Sequence, residues 1–177
     1  MDIVRQFLVE TPLWAWALLG YLIFKGVKAR RPGDTTLVTM SMIPVVFTVW
    51  GLYDLLTLYG VTPTGAFWLA GIAAGSAVGW FIASRFDIVA DRAMGVLHRP
   101  ADFSLLPLLL ATFAIKYSFG VISAVAPQLL TQTGFQIADL TLSGLFTGIF
   151  VGKFVRYAWI WRQAGLSLKG GRVRTLG

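Results

Sequence analysis

The chain has 177 residues, 56% of them hydrophobic and only 13% charged, with a mean hydropathy of +0.73. A soluble domain carries about 25% charged residues, so the deficit points to lipid as the solvent. The absence of cysteine excludes disulfides, thiolate metal sites, thioether-attached haem and cysteine nucleophiles, and the net charge of +7 is scattered over helix ends without the aromatic platform that nucleic acid would need.

A bilayer core roughly 30 Å thick needs about 20 mostly apolar residues per helix, and five segments meet that requirement. The first runs from about Leu8 to Val27, with Pro12 near its start and Trp14, Trp16 and Tyr21 within it. It ends in Lys25-Gly26-Val27-Lys28 with no small-residue cleavage pattern, so it is expected to be a retained span and not a signal peptide. A turn over residues 29–34 leads to the second span, about Leu37 to Tyr59, and Gly60-Val61-Thr62-Pro63 reverses the chain into the third, about Thr64 to Ser84. The stretch from Phe86 to Asp102 is too short and too charged to span. Its Ile88, Val89, Ala93, Val96 and Leu97 are expected to form a short helix lying at the interface. The fourth span covers about Leu105 to Val125 and the fifth about Leu140 to Trp161, joined by the Gln- and Thr-rich segment Pro127 to Asp139. The expected architecture is all-α: one transmembrane bundle over residues 1–163 and a basic tail over 164–177.

Basic residues beside helix ends fix orientation, because cytoplasmic connections carry the excess of Lys and Arg. Twelve of them (Lys25, Lys28, Arg30, Arg31, Arg85, Arg92, Arg99, Arg156, Arg162, Lys169, Arg172 and Arg174) fall on one side, against Arg5 on the other. That asymmetry places the N-terminus outside and the C-terminus in the cytoplasm, and an odd number of spans satisfies both ends. Lys153, inside the fifth span, is expected to snorkel to the cytoplasmic headgroups.

Two spans carry glycine at every fourth position: Gly71, Gly75 and Gly79 in the third, and Gly144, Gly148 and Gly152 in the fifth. Residues four apart share a helix face, and small ones let another backbone approach closely, which is the main source of helix association in lipid. Three uses are open: the two faces packing on each other, packing on another neighbour, or homodimerisation through one of them. Each glycine-rich span follows an outward-running helix with a central glycine (Gly51, then Gly120), so spans two and three are readable as a parallel copy of four and five, or as chance.

Charges at bilayer depth cost roughly 2.5–3.5 kcal/mol each on insertion scales and need a reason. Asp54 and Lys116 lie at similar depth in the outer half. Thr112 and Ser123 share the Lys116 face, and Tyr53 and Tyr117 adjoin the two charges. The functional reading makes this group a counter-ion pair, proton relay or anion site, and the plain one a structural ion pair with the tyrosines as interface anchors. With one histidine (His98), one glutamate (Glu10) and none of the usual hydrolase, metalloprotease or P-loop signatures, no metal site, cofactor or enzyme activity is expected.

The run Thr11-Pro12-Leu13-Trp14-Ala15-Trp16-Ala17-Leu18-Leu19, the Arg30-Arg31-Pro32 turn, and His98-Arg99-Pro100 ahead of the Lys116-Tyr117 helix together resemble a family of small bacterial inner-membrane proteins, over about residues 8 to 160. That family has no assigned activity, so the resemblance implies a bacterial inner-membrane location and adds no chemistry. Two function classes remain. One is an oligomeric transporter or permeation unit with its polar site at Asp54 and Lys116. The other is a non-transporting accessory or assembly protein acting through helix–helix and lipid contacts, with lipids, a second copy or another membrane protein as partners.

Overall fold

Long helices dominate because the segments between turns are apolar all round, with no polar stripe to keep one side in water. The structure, a computed structural model, describes the backbone of residues 13–60 and 62–170 and the side chains of 16–60 and 62–165. In chain order it contains α1 (Leu13–Ala29), β1 (Gly33–Thr35), α2 (Leu37–Asp54) continuing into a π-helical turn (Leu55–Tyr59), and α3 (Gly65–Ser84). These are followed by β2 (Val89–Asp91), β3 (Val96–Arg99), α4 (Leu105–Val125), a 3-10 turn (Pro127–Thr131) and α5 (Thr133–Gly170). Four stretches are long and apolar enough to cross a membrane: Leu37–Tyr59, Gly65–Ser84, Leu105–Val125 and Thr133–Gly165. The described part of α1 has 17 residues, and the expected start of the first span, with Leu8 to Pro12, lies outside the described residues, as does Arg5.

α5 is the hub. It meets α3 along its length, takes α2 on another side and touches α4, while α1 leans on α4 rather than on α2. The α3–α5 seam is made by the two glycine series turned toward each other. A Cβ on Gly71, Gly75 or Gly79 would run into the backbone of Thr141, Leu145 or Ile149, and one on Gly144, Gly148 or Gly152 into that of Trp68, Ile72 or Ser76. Backbone meets backbone, so a side chain at any of these positions would force the two helices apart. Elsewhere Gly51 receives the Trp68 ring and Gly26 the Leu106 side chain and its Cα, whereas a Cβ on Gly120 would meet open space. Leu22, Phe47, Leu109 and Phe150 close the core toward one end, and Tyr59, Trp68 and Leu140 toward the other.

The connections do not match the expected interfacial helix. Residues 89–99 form a β-hairpin, and β1 from the α1–α2 connection adds to it, giving a three-stranded antiparallel sheet in the order β1-β3-β2. Leu97 sits opposite Ala90 on one side and Thr35 on the other. The local reason is in the turn. Asp91 accepts the backbone N–H groups of Ala93 and Met94 through its carboxylate, and Gly95 takes a φ of +72°, so the chain reverses before a helix can nucleate. α5 also differs from expectation at both ends: it begins at Thr133 and its backbone stays helical to Gly170, through the first part of the expected tail.

Candidate functional site

The polar groups of the bundle gather in two places. One lies near the end away from the sheet. Here Lys116, on α4, donates from Nζ to Asp54 Oδ2 at 2.6 Å, with the side chains 6% and 17% exposed. Asp54 is the last residue of α2, and the π-helical turn that follows widens the coil. Because a π turn bonds residues five apart, Asp54 and Tyr59 come onto one face, where an α-helix would splay them. Gly60, at a φ of +70°, ends the turn. Tyr59 is thereby buried and donates from its hydroxyl to Asp139 Oδ2 at 2.7 Å. Asp139, one and a half turns into α5, is itself buried and lies within Coulombic reach of both Lys116 and Asp54. One turn further along α5, Ser143 Oγ is buried with no hydrogen-bond partner among the described residues.

Of the six residues expected at this site, the structure brings together Asp54 and Lys116. Thr112 is buried one turn from Lys116, but its hydroxyl donates to the Leu108 carbonyl of its own helix at 2.7 Å. Tyr53 is 64% exposed on the outside of the bundle, Tyr117 stacks on Phe113 with ring centres 5.9 Å apart, and Ser123 is half-buried further along α4. Tyr59 and Asp139 are the members that sequence reasoning missed. A last span starting at Leu140 puts Asp139 in the preceding connection. The available signal was the polar series Asp139, Ser143, Thr147, which recurs every four residues and is buried throughout.

The second cluster sits beside the sheet and corrects the expectation for Lys153. Its side chain does not reach for headgroups. It turns inward and donates to Asp102 Oδ2 at 2.5 Å and to Ser104 Oγ at 3.0 Å, with both charged side chains under a tenth exposed. Asp102 also accepts from the Ser104 backbone N–H and hydroxyl, and its own N–H donates to the Ala29 carbonyl at 2.8 Å. It thereby puts a carboxylate at the start of α4, where the helix dipole favours a negative charge. Burial works to raise the Asp102 carboxyl, but the Lys153 charge and the hydrogen bonds from Lys153 and Ser104 outweigh it, holding the group below its ordinary value.

The sheet end is also where the described basic residues collect. Arg92, near the hairpin tip, donates twice to the Trp161 carbonyl, at 3.0 and 2.7 Å, and lies over the Trp161 ring. Gly165 leaves the space for its guanidinium. Arg156 is held between the rings of Trp80 and Trp159. Among the described residues no His, Asp or Glu grouping could hold a metal ion.

Comparison with known proteins found no matching family model, no matching curated sequence and no matching solved structure. The class is therefore defined by composition and fold alone. This is a multi-pass helical membrane protein whose bundle carries one ion pair beside the sheet and another in the half away from it.

Proposed function

We propose that the chain is a five-span protein of the bacterial inner membrane, N-terminus periplasmic and C-terminus cytoplasmic, acting as a small transporter or permeation unit for a proton or small cation. The sidedness rests on the basic residues of the sheet end, which belong in the cytoplasm. The fifth span is α1, whose apolar sequence begins near Leu8.

One observation carries the transport reading: the one ammonium of the cluster, Lys116, is paired with the part-buried Asp54, while the buried carboxylate of Asp139 has no cation of its own among the described residues. With all three ionised the site holds one negative charge in excess, in a setting where an uncompensated charge is costly. One proton or one small cation restores the balance. The Tyr59 hydroxyl fixes one oxygen of Asp139, and the unpartnered Ser143 hydroxyl supplies a further polar group one turn away. The accessory reading keeps its lipid contacts, but the glycine faces it would use for a partner are turned to each other inside the bundle.

The test is flux. Purified protein in liposomes, with a pH dye or radioactive sodium trapped inside, is expected to dissipate an imposed gradient of one of the two ions. Asp139→Asn should abolish that flux while the thermal melt stays cooperative. Background flux for wild type under both gradients, from protein that melts cooperatively, would overturn the reading.

A further inference from the structure

Away from the polar clusters, α1 and α2 diverge and leave a cleft between them, because α1 packs on α4. At the sheet end the cleft opens into a cavity of about 150 Å³. Its mouth carries Lys25, Lys28 and Arg99, and its floor is apolar, made by Ile43, Pro44, Leu105 and Phe150 among others. The one carboxylate at the mouth, Asp34, is already engaged with His98 Nδ1 at 2.5 Å. A second, apolar cavity continues along the same helix pair, sharing Ile43 and lined by Leu18, Leu22, Val46, Phe47 and Trp50. From Thr39 at the mouth to Trp50 at the far end, the cleft follows α2 for about 16 Å.

We propose that this cleft seats one anionic phospholipid from the leaflet at the sheet end. The phosphate-bearing headgroup lies among Lys25, Lys28 and Arg99, and one acyl chain runs along the α1–α2 cleft. The charge pattern selects the occupant. Three cations against one engaged carboxylate favour an anion, and an apolar channel leading from them has no use for a free phosphate. A zwitterionic lipid matches the channel but brings its own cation to the mouth. The proposal is independent of the transport reading, since none of these residues belongs to the Asp54–Lys116 cluster.

The experiment is native mass spectrometry of the full chain in detergent, titrated with phosphatidylglycerol or phosphatidylcholine of identical chains. Phosphatidylglycerol is expected to bind in preference. Each basic residue beside an anionic headgroup strengthens binding roughly fivefold, so Lys25→Gln/Lys28→Gln should weaken it roughly 25-fold. The control is Arg30→Gln/Arg31→Gln, which removes the same charge from exposed positions outside the cavity and should leave the affinity within about twofold of wild type. Equal binding of the two lipids would overturn the proposal, and so would an equal loss in both double variants, which would mean unspecific attraction. A third variant, Val46→Trp, fills the cleft from the lipid side with the mouth intact. It should weaken phosphatidylglycerol severalfold; unchanged binding would remove the cleft as the seat of the chain and refute the assignment even if the lysine variant fails to fold.

Discussion

The α3–α5 seam yields opposite signs for one substitution at two glycines. At Gly148 an added methyl would lie against the Ile72 carbonyl and Cα, both backbone atoms that cannot rotate away. The helices must part by about 1 Å, and a gap of that size forfeits a quarter to a half of each dispersion contact it opens. Overpacking of this kind costs about 1–3 kcal/mol. Replacing glycine by alanine in a helix returns about 1 kcal/mol, so Gly148→Ala should destabilise by up to about 2 kcal/mol net and fall about 1–3 kcal/mol below a glycine-to-alanine change made in open space. At Gly120, where nothing lies within 4 Å of the added carbon, only the helical gain operates and Gly120→Ala should be neutral or stabilising. Reversible unfolding in mixed micelles, followed by the intrinsic fluorescence of the seven tryptophans, measures both. Equal stability of the two variants would refute the close backbone packing. Unchanged oligomeric state in Gly148→Ala would agree with a seam used within one chain.

Four further outcomes follow from the ion pairs and the hairpin. Lys116→Met strands the Asp54 carboxylate without its cation, beside the buried Asp139, and should cost about 3–5 kcal/mol, whereas Lys116→Met/Asp54→Leu should recover most of it in the same unfolding assay; any remaining deficit measures the share of Asp139. Lys153→Met should destabilise by a similar amount by stranding Asp102, a loss that a snorkelling lysine would not produce. Because the Asp102 carboxyl is held below its ordinary 3.8, its contribution is fully present above that value and disappears as pH falls through the lower folded-state value; melting temperature should therefore drop below pH 3.8 in wild type and more shallowly in Asp102→Asn. Arg92→Ala should speed amide exchange across Val89–Asp91 with little effect on global unfolding, since that strand is tied to α5 through the Trp161 carbonyl.

The spans were legible because hydropathy and length decide them almost alone: α2 with its π turn, α3 and α4 lie within a residue or two of where composition puts them. Asp54 and Lys116 were legible as partners because charge is scarce in lipid and both helices run the same way. The sheet was not, because its strands are three or four residues long and made by pairing between connections far apart in sequence. Tyr59 was hidden by the π turn, since helical-wheel reasoning assumes 3.6 residues per turn and turns it away from Asp54. Lys153 misled because position along a helix gives depth without direction. Its inward face depends on Asp102, which lies 51 residues earlier in the chain.

The small sheet has a bearing on the whole bundle. Its outer strands, β1 and β2, each have one neighbour, leaving backbone N–H and C=O groups unpaired along two edges, and such groups are not tolerated in hydrocarbon. The sheet must therefore ride at the water–headgroup boundary, and it works as a waterline painted on the protein. Measured from that line, Lys116 stands about 17 Å along α4 from Leu105, past the midplane of a core roughly 30 Å thick, while Asp102 and Lys153 lie almost at the line itself. The two ion pairs, chemically alike, thus sit at different draughts: one is moored at the polar boundary, and the other spans the far half of the core, from Lys116 just past the midplane to Asp54 near the opposite face.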